Sequence, residues 1–257
     1  MAQQGNKPLS ELEASHTPQA VWERLQAGPD HSDLRDFIFG AIDGTVTTFA
    51  VVSGVSGAGL AAGIVIILGV ANLVADGFSM GISNFLGTRA EKQQRQRIRH
   101  EERRQIREIP EGEREEVRQI FAEKGFSGDD LERVVEVITE DHDRWLNIML
   151  REEHGFPAEE ASPWRAGLTT YIGFMVAGLV PLLPYIFQAI VPIVTTQPFL
   201  WSIILAGLTF FAIGAAKARF VDQRWYLGGL ETLVIGGVAA GLAFVIGALL
   251  RGMADAV

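Results

Sequence analysis

Residues 60 to 86 read LAAGIVIILGVANLVADGFSMGISNFL, an apolar run long enough to cross the roughly 30 Å hydrocarbon core of a bilayer as one helix. Inside it Asn72, Asp76 and Met80 recur every four residues, which places an amide, a carboxylate and a thioether on one helical face. A carboxylate at that depth costs roughly 2.5 to 3.5 kcal/mol on insertion scales and marks an ion path or a buried partner. Four further stretches, at about 37 to 58, 165 to 190, 199 to 220 and 228 to 250, also have spanning length. The pattern predicts an all-α membrane protein with five transmembrane helices per protomer and a cytoplasmic helical insert between the second and third.

Composition agrees with a multi-pass protein: 48% of the 257 residues are hydrophobic and only 21% are charged, with the charges segregated. There is no cysteine, so disulfides, thiolate metal sites and cysteine nucleophiles are excluded. The first thirty residues carry Gln3, Gln4, Asn6, Lys7, Glu11 and Glu13 and show no basic region followed by an apolar core, so the first span is expected to direct insertion. A net charge of -9 with interleaved Arg and Glu argues against a nucleic-acid partner. Basic residues favour the cytoplasmic side of span ends. Five spans with the amino terminus inside put Arg24, Arg35, Arg89, Lys92, Arg95, Arg151, Arg165, Lys217, Arg219 and Arg224 in the cytoplasm and Arg251 outside. An alanine- and arginine-rich composition points to a bacterial plasma (inner) membrane.

The chain divides into a polar amino-terminal segment (1–33), spans one and two (34–86), a cytoplasmic metal-binding helical domain (87–163) and spans three to five (164–257). Small residues four apart, Gly40 with Gly44, Gly77 with Gly81 and Gly237 with Gly241, predict close helix packing. The glycine-rich link from Ser53 to Gly59 predicts a hairpin of the first two spans. Pro181 and Pro184 break the end of span three, with Pro192 and Pro198 in the turn that follows. In the insert, span two continues as a charged helix to Pro110, and a second helix ends in a Gly125 C-cap. A third opens on a Ser127–Asp130 capping box, and a fourth runs from about Asp141 to Gly155. Trp22 and Leu25 suit a short interfacial helix.

Asp36, Gly40, Asp43 and Thr47 share a face of span one, with Asp43 well inside the membrane. Asp43 reads as functional, because an idle carboxylate there is expensive. Asp36 and Glu231 suit either an interfacial position or a proton or gating role. Met80 alone would be a packing residue and Asn72 alone interhelical glue. Grouped with Asp76, they form a mixed oxygen and thioether set that suits Fe2+ or Mn2+, with Zn2+ and Co2+ also compatible. In the insert Glu101, Glu102, Glu113, Glu116, Glu152 and Glu153, with Met149, form a second candidate metal site. The alternative there is a solvated face of weak ion pairs. Asp141, His142 and Asp143 look like ligands, but consecutive helical residues diverge and acids at a helix start cap it. No GxGxxG, Walker-type, HExxH or GxSxG pattern is present, so the chain reads as neither a nucleotide hydrolase nor a protease, and no resident cofactor is expected.

The runs DFIFGAIDG (36–44), ANLVADGFSMG (71–81) and MLREEHG (149–155) together resemble the vacuolar iron transporter family, also called the cross-complementer of calcium sensitivity family. That resemblance, from about Leu34 to Leu250, implies a homodimer in lipid that exports cytosolic Fe2+ and Mn2+ in exchange for protons. It implies that Asp43 and Met80 belong to the membrane path, and that Glu113, Glu116, Glu152, Glu153 and Met149 gather ions before translocation. Asn72 stands where some members carry glutamate, with Asp76 one turn later; Arg103, Arg104 and Gln105 thin the acids of the first insert helix. Rival readings are a metal-binding membrane scaffold or sensor, and a proton-coupled carrier of a small organic solute.

Overall fold

A computed structural model describes residues 9–27, 33–157, 161–191, 197–219, 221 and 223–254. Gln3, Gln4, Asn6, Lys7 and Pro192 lie outside the described residues. The order is α1 (Leu9–Ser15), α2 (Pro18–Ala27), α3 (Asp33–Gly57), α4 (Ala62–Glu108), α5 (Pro110–Glu123), α6 (Gly128–Thr139) and α7 (His142–Ile148). A π-helical turn (Met149–Glu153) follows, then α8 (Pro163–Leu179), a 3-10 turn (Val180–Leu182), α9 (Leu183–Ile190), α10 (Pro198–Ala218) and α11 (Trp225–Ala254). Among the described residues, five helical segments are long and apolar enough to cross a membrane, namely α3, α4, α8 with α9, α10 and α11. The chain is a multi-pass membrane protein with two compact units, one of Met1–Gln26, Ser32–Leu86 and Pro163–Val257, the other of Ala27–His31 and Gly87–Ser162.

In the membrane unit α3 is the central helix, packed against α8, α10 and α11. Glycine makes this possible. A Cβ at Gly40 or Gly44 would collide with the backbone carbonyls of Thr170 and Phe174, so α3 and α8 meet backbone to backbone. On α4, Gly81 lies against the backbone at Gly167 O of α8, whereas Gly77 faces the Phe174 ring. Gly237 and Gly241 depart from the expected pattern, since a Cβ at either meets nothing within 4 Å. The α11 contacts run instead through Gly236, against the Phe210 ring, and Gly247, against Gly54 O. The core joins Phe49, Val52, Val65, Leu73, Phe174 and Phe210. The short link after Gly57 turns at Gly59, whose φ of 71° a side chain would strain.

Proline decides the end of span three. Pro181 sits in the 3-10 turn and Pro184 in the first turn of α9, so the helix is interrupted where two N–H donors are missing. Ser202 Oγ donates to the Pro181 carbonyl at 2.7 Å and satisfies it within the apolar core. Pro198 occupies the first turn of α10.

The insert unit is built on α5, α6, α7 and the charged half of α4. Its core is Ile106, Val117, Val135, Ile138, Trp145, Leu146, Met149 and Leu150. After α5, Gly125 adopts φ 96°, Gly125 N–H bonds Ala122 O and Phe126 N–H bonds Phe121 O. With the Phe121 and Phe126 rings 5.8 Å apart, this is a complete Schellman stop. Ser127 is the N-cap of α6 but its side chain makes no capping bond, so the capping box expected there does not form. Asp141 caps α7 by accepting from Arg144 N–H at 2.7 Å.

Candidate metal-binding sites

In the membrane unit Asp43 is half-buried and lies within electrostatic reach of Asp76. Asp76 itself is exposed, on a helix whose spanning window is only 22% buried, against 56% for α3. Met80 packs partly against the core, and the Asn72 amide nitrogen is buried without a partner. The four-residue register that holds these residues continues one step further, to Asn84. Asn84 Nδ2 reaches Asp36 Oδ1 at 3.1 Å, Thr170 Oγ1 at 2.7 Å and Ala166 O at 3.3 Å. One amide therefore ties α3, α4 and α8 together and gives Asp36 a structural partner. Sequence reading passed over Asn84, although its spacing was visible. Glu231 is 3.6 Å from Lys217 Nζ and faces Gln223 Nε2 at 3.5 Å, so its charge is balanced locally.

The insert brings a different set of acids together. Glu102 lies one turn before Ile106 on α4, and Glu113 one turn before Val117 on α5, so each shares a face with a core residue and is carried inward. Glu113 is 1% exposed and Glu102 3%. One oxygen of each, Oε2, is buried without a hydrogen-bond partner. Native structures rarely leave such atoms unexplained, and a bound ion is one standard explanation.

Beside them, the π-helical turn reshapes the end of the segment. His154 N–H bonds Met149 O, five residues back, and Phe156 N–H bonds Leu150 O. Glu153 ends this turn and His154 caps it, and both side chains reach Glu102. His154 Nε2 is 2.9 Å from Glu102 Oε1 and 3.6 Å from Glu153 Oε2. One ligand atom from each of Glu102, Glu153 and His154 lies within 4.8 Å of the others. Burial, then the neighbouring Glu116, Glu102 and Glu153, raise the Glu113 carboxyl to about 7. Glu116 and Glu153 are also raised, by burial and then by neighbouring acids, with His154 opposing the rise. The acids repel one another in the absence of a cation, the electrostatic signature of a site suited to one.

Other candidates fall outside this cluster. Glu101 is exposed, one residue out of register with Glu102. Glu152 is held by Lys124 Nζ at 2.6 Å, with Arg151 Nε at 3.7 Å. Met149 is fully buried in the insert core. Glu116 is exposed at the rim, close enough to feel Glu153 and His154. His154 was missed in the sequence, where its only signal is that it follows Glu153.

Residues 34–248 match the model of the VIT family. The chain belongs to that family. This VIT chain is 33% identical to vacuolar iron transporter 1 of Eucalyptus grandis over 227 residues, covering 87% of this chain and 86% of that protein. It is 31% identical to vacuolar iron transporter 1 of Arabidopsis thaliana over 218 residues, 83% of this chain and 84% of that one. The vacuolar iron transporter of Toxoplasma gondii (strain ATCC 50861 / VEG) is 31% identical over 258 residues, 95% and 85% of the two chains. These relatives are named as transporters, and as vacuolar ones, so they lend no support to the bacterial plasma membrane expected for the VIT chain from its composition.

Proposed function

We propose that this protein is a proton-coupled divalent metal transporter that moves Fe2+, and Mn2+ with it, out of the cytosol. The observation that carries the reading is the pair of buried glutamates, Glu102 and Glu113, each with an unpartnered oxygen, gathered beside Glu153 in a member of the VIT family. In this reading the insert faces the cytosol, as the basic residues at the span ends indicate, and collects the ion. Asp43 and the Asp76/Met80 face of α4 then form the membrane path. Carboxylates must be deprotonated to hold a divalent cation and can take protons when it leaves, so proton exchange is inherent in the ligand set. A homodimer suits the exposed position of Asp76, because a second copy over that face would shield its charge from lipid.

The test is pH-gradient-driven Fe2+ uptake into liposomes by the wild type, Asp43→Ala and Met80→Ala. Loss in Asp43→Ala and reduction in Met80→Ala are expected. Wild-type flux in both variants would refute the path. Metal binding with no flux in the wild type would instead make the protein a membrane-anchored metal scaffold.

A further inference from the structure

The cluster of acids in the insert contains a nitrogen base. His154 Nε2 sits 2.9 Å from Glu102 Oε1 and 3.6 Å from Glu153 Oε2, with Glu113 and Glu116 both near enough to feel its charge. An ordinary Glu-His hydrogen bond would account for one oxygen of Glu102. It leaves Glu102 Oε2 and Glu113 Oε2 buried and unpartnered, and a single imidazole proton cannot serve both. A cation held by Glu102, Glu153 and the imidazole nitrogen, whose ligand atoms lie within 4.8 Å of one another, would give Glu102 its missing partner and offset the charge beside Glu113.

We propose that His154 is a metal ligand of the insert site and that its nitrogen biases the site towards Fe2+, Co2+ and Zn2+ over Mn2+. This deepens, and rests on, the reading of the glutamate cluster as a metal site. Carboxylate oxygens suit Mn2+, whereas imidazole suits iron and zinc, and the affinity of a given site rises along the series from Mn2+ through Fe2+ to Co2+. Replacing one oxygen ligand with nitrogen steepens that rise. Ligation uses the neutral imidazole, its proton on Nδ1 and its Nε2 lone pair on the metal. The set lies at the end of a π-helical turn, the element type that often marks functional sites, with Glu153 closing the turn and His154 capping it beside Glu102.

The experiment is anaerobic titration of the metal-free, full-length protein in detergent with Co2+, followed by visible absorption, and with Mn2+, followed by electron spin resonance of the free ion. His154→Gln should weaken Co2+ by about tenfold or more, the equivalent of roughly 1.4 kcal/mol, while changing Mn2+ by less than about threefold. His154→Glu should keep Mn2+ binding and lose the Co2+ preference, which controls for misfolding. In the Co2+-loaded wild type, a paramagnetically shifted, exchangeable imidazole N–H resonance should appear and vanish in His154→Gln. Equal weakening of both metals without that resonance would make His154 a positioning residue and overturn the proposal. Unchanged affinities would overturn it as well. If the wild type binds neither metal, or Glu102→Gln and Glu113→Gln leave binding intact, the glutamate reading itself fails, a result distinct from failure of His154 alone.

Discussion

In the membrane unit Asp76 stands exposed on an apolar helix, whereas in the insert Glu102 and Glu113 lie buried among aliphatic side chains. The environments are opposite, yet each denies a carboxylate the water it would otherwise have. In the insert the neighbours are Ile106 and Val117, so burial is the anomaly; Asp76 stands exposed on an apolar helix of membrane-spanning length, so exposure is the anomaly. An acid is therefore informative when its position conflicts with its solvent, and burial read alone would have ranked these sites wrongly. Surface pairs such as Arg118 with Glu132 show the uninformative case, fully accounted for by water and a partner.

The sharpest break of this comparison is at the membrane acids. Asp43→Ala is expected to lower liposomal Fe2+ flux by about 100-fold, roughly 3 kcal/mol in the barrier. Asp76→Ala should follow in the same direction; wild-type flux in Asp76→Ala would make the exposed acid idle and confine the argument to the insert.

Next comes the insert, where function and stability should pull apart. Glu113→Leu removes a buried carboxyl with an unsatisfied oxygen, so the metal-free protein should gain stability by about 1 to 3 kcal/mol, the cost of leaving such a group unpaired. Metal affinity should fall at least about tenfold in the same variant. Thermal melts with and without Mn2+ read both effects. The pH dependence has a definite sign: Glu113 keeps its proton up to about 7 when folded, against 4.5 for an ordinary glutamate. Its contribution to the metal-free fold is therefore largest below the lower value and is lost as pH rises through that window. Mn2+ affinity should rise over the same window, because the cation replaces the proton.

Glycine gives a third contrast. Gly44→Ala puts a methyl into the Phe174 backbone and should cost about 1 to 3 kcal/mol, read as lower monodispersity and melting temperature. Gly112→Ala in α5 meets only Ile109 Cδ1, at 3.8 Å, and should stabilise by about 0.5 to 1 kcal/mol through helix propensity. The smallest effect belongs to Arg118→Ala, expected to leave the melting temperature essentially unchanged despite its two carboxylate partners, because solvent screens them.

Sequence alone carried the five spans, the interruption at Pro181 and Pro184, and the turn at Gly125, because length, proline geometry and a positive φ are local requirements. Membership of the VIT family was equally legible in the three motifs. The candidate sites were legible by residue type but not by membership. Glu101 and Glu102 are indistinguishable as letters, yet one faces water and the other the core. The interruption of an apolar register by Glu102, between Ile98 and Ile106, and by Glu113, before Val117, was the available signal.

What the chain determined by itself was where apolar length and helix breakers fall, since those act within a few residues of their own position. Tertiary structure alone decided which acids lose their water, that Asn84 clasps Asp36 and Thr170, and that His154 meets Glu102. The physical reason is that desolvation and ligand geometry depend on neighbours brought in from distant segments, which spacing within one segment does not specify.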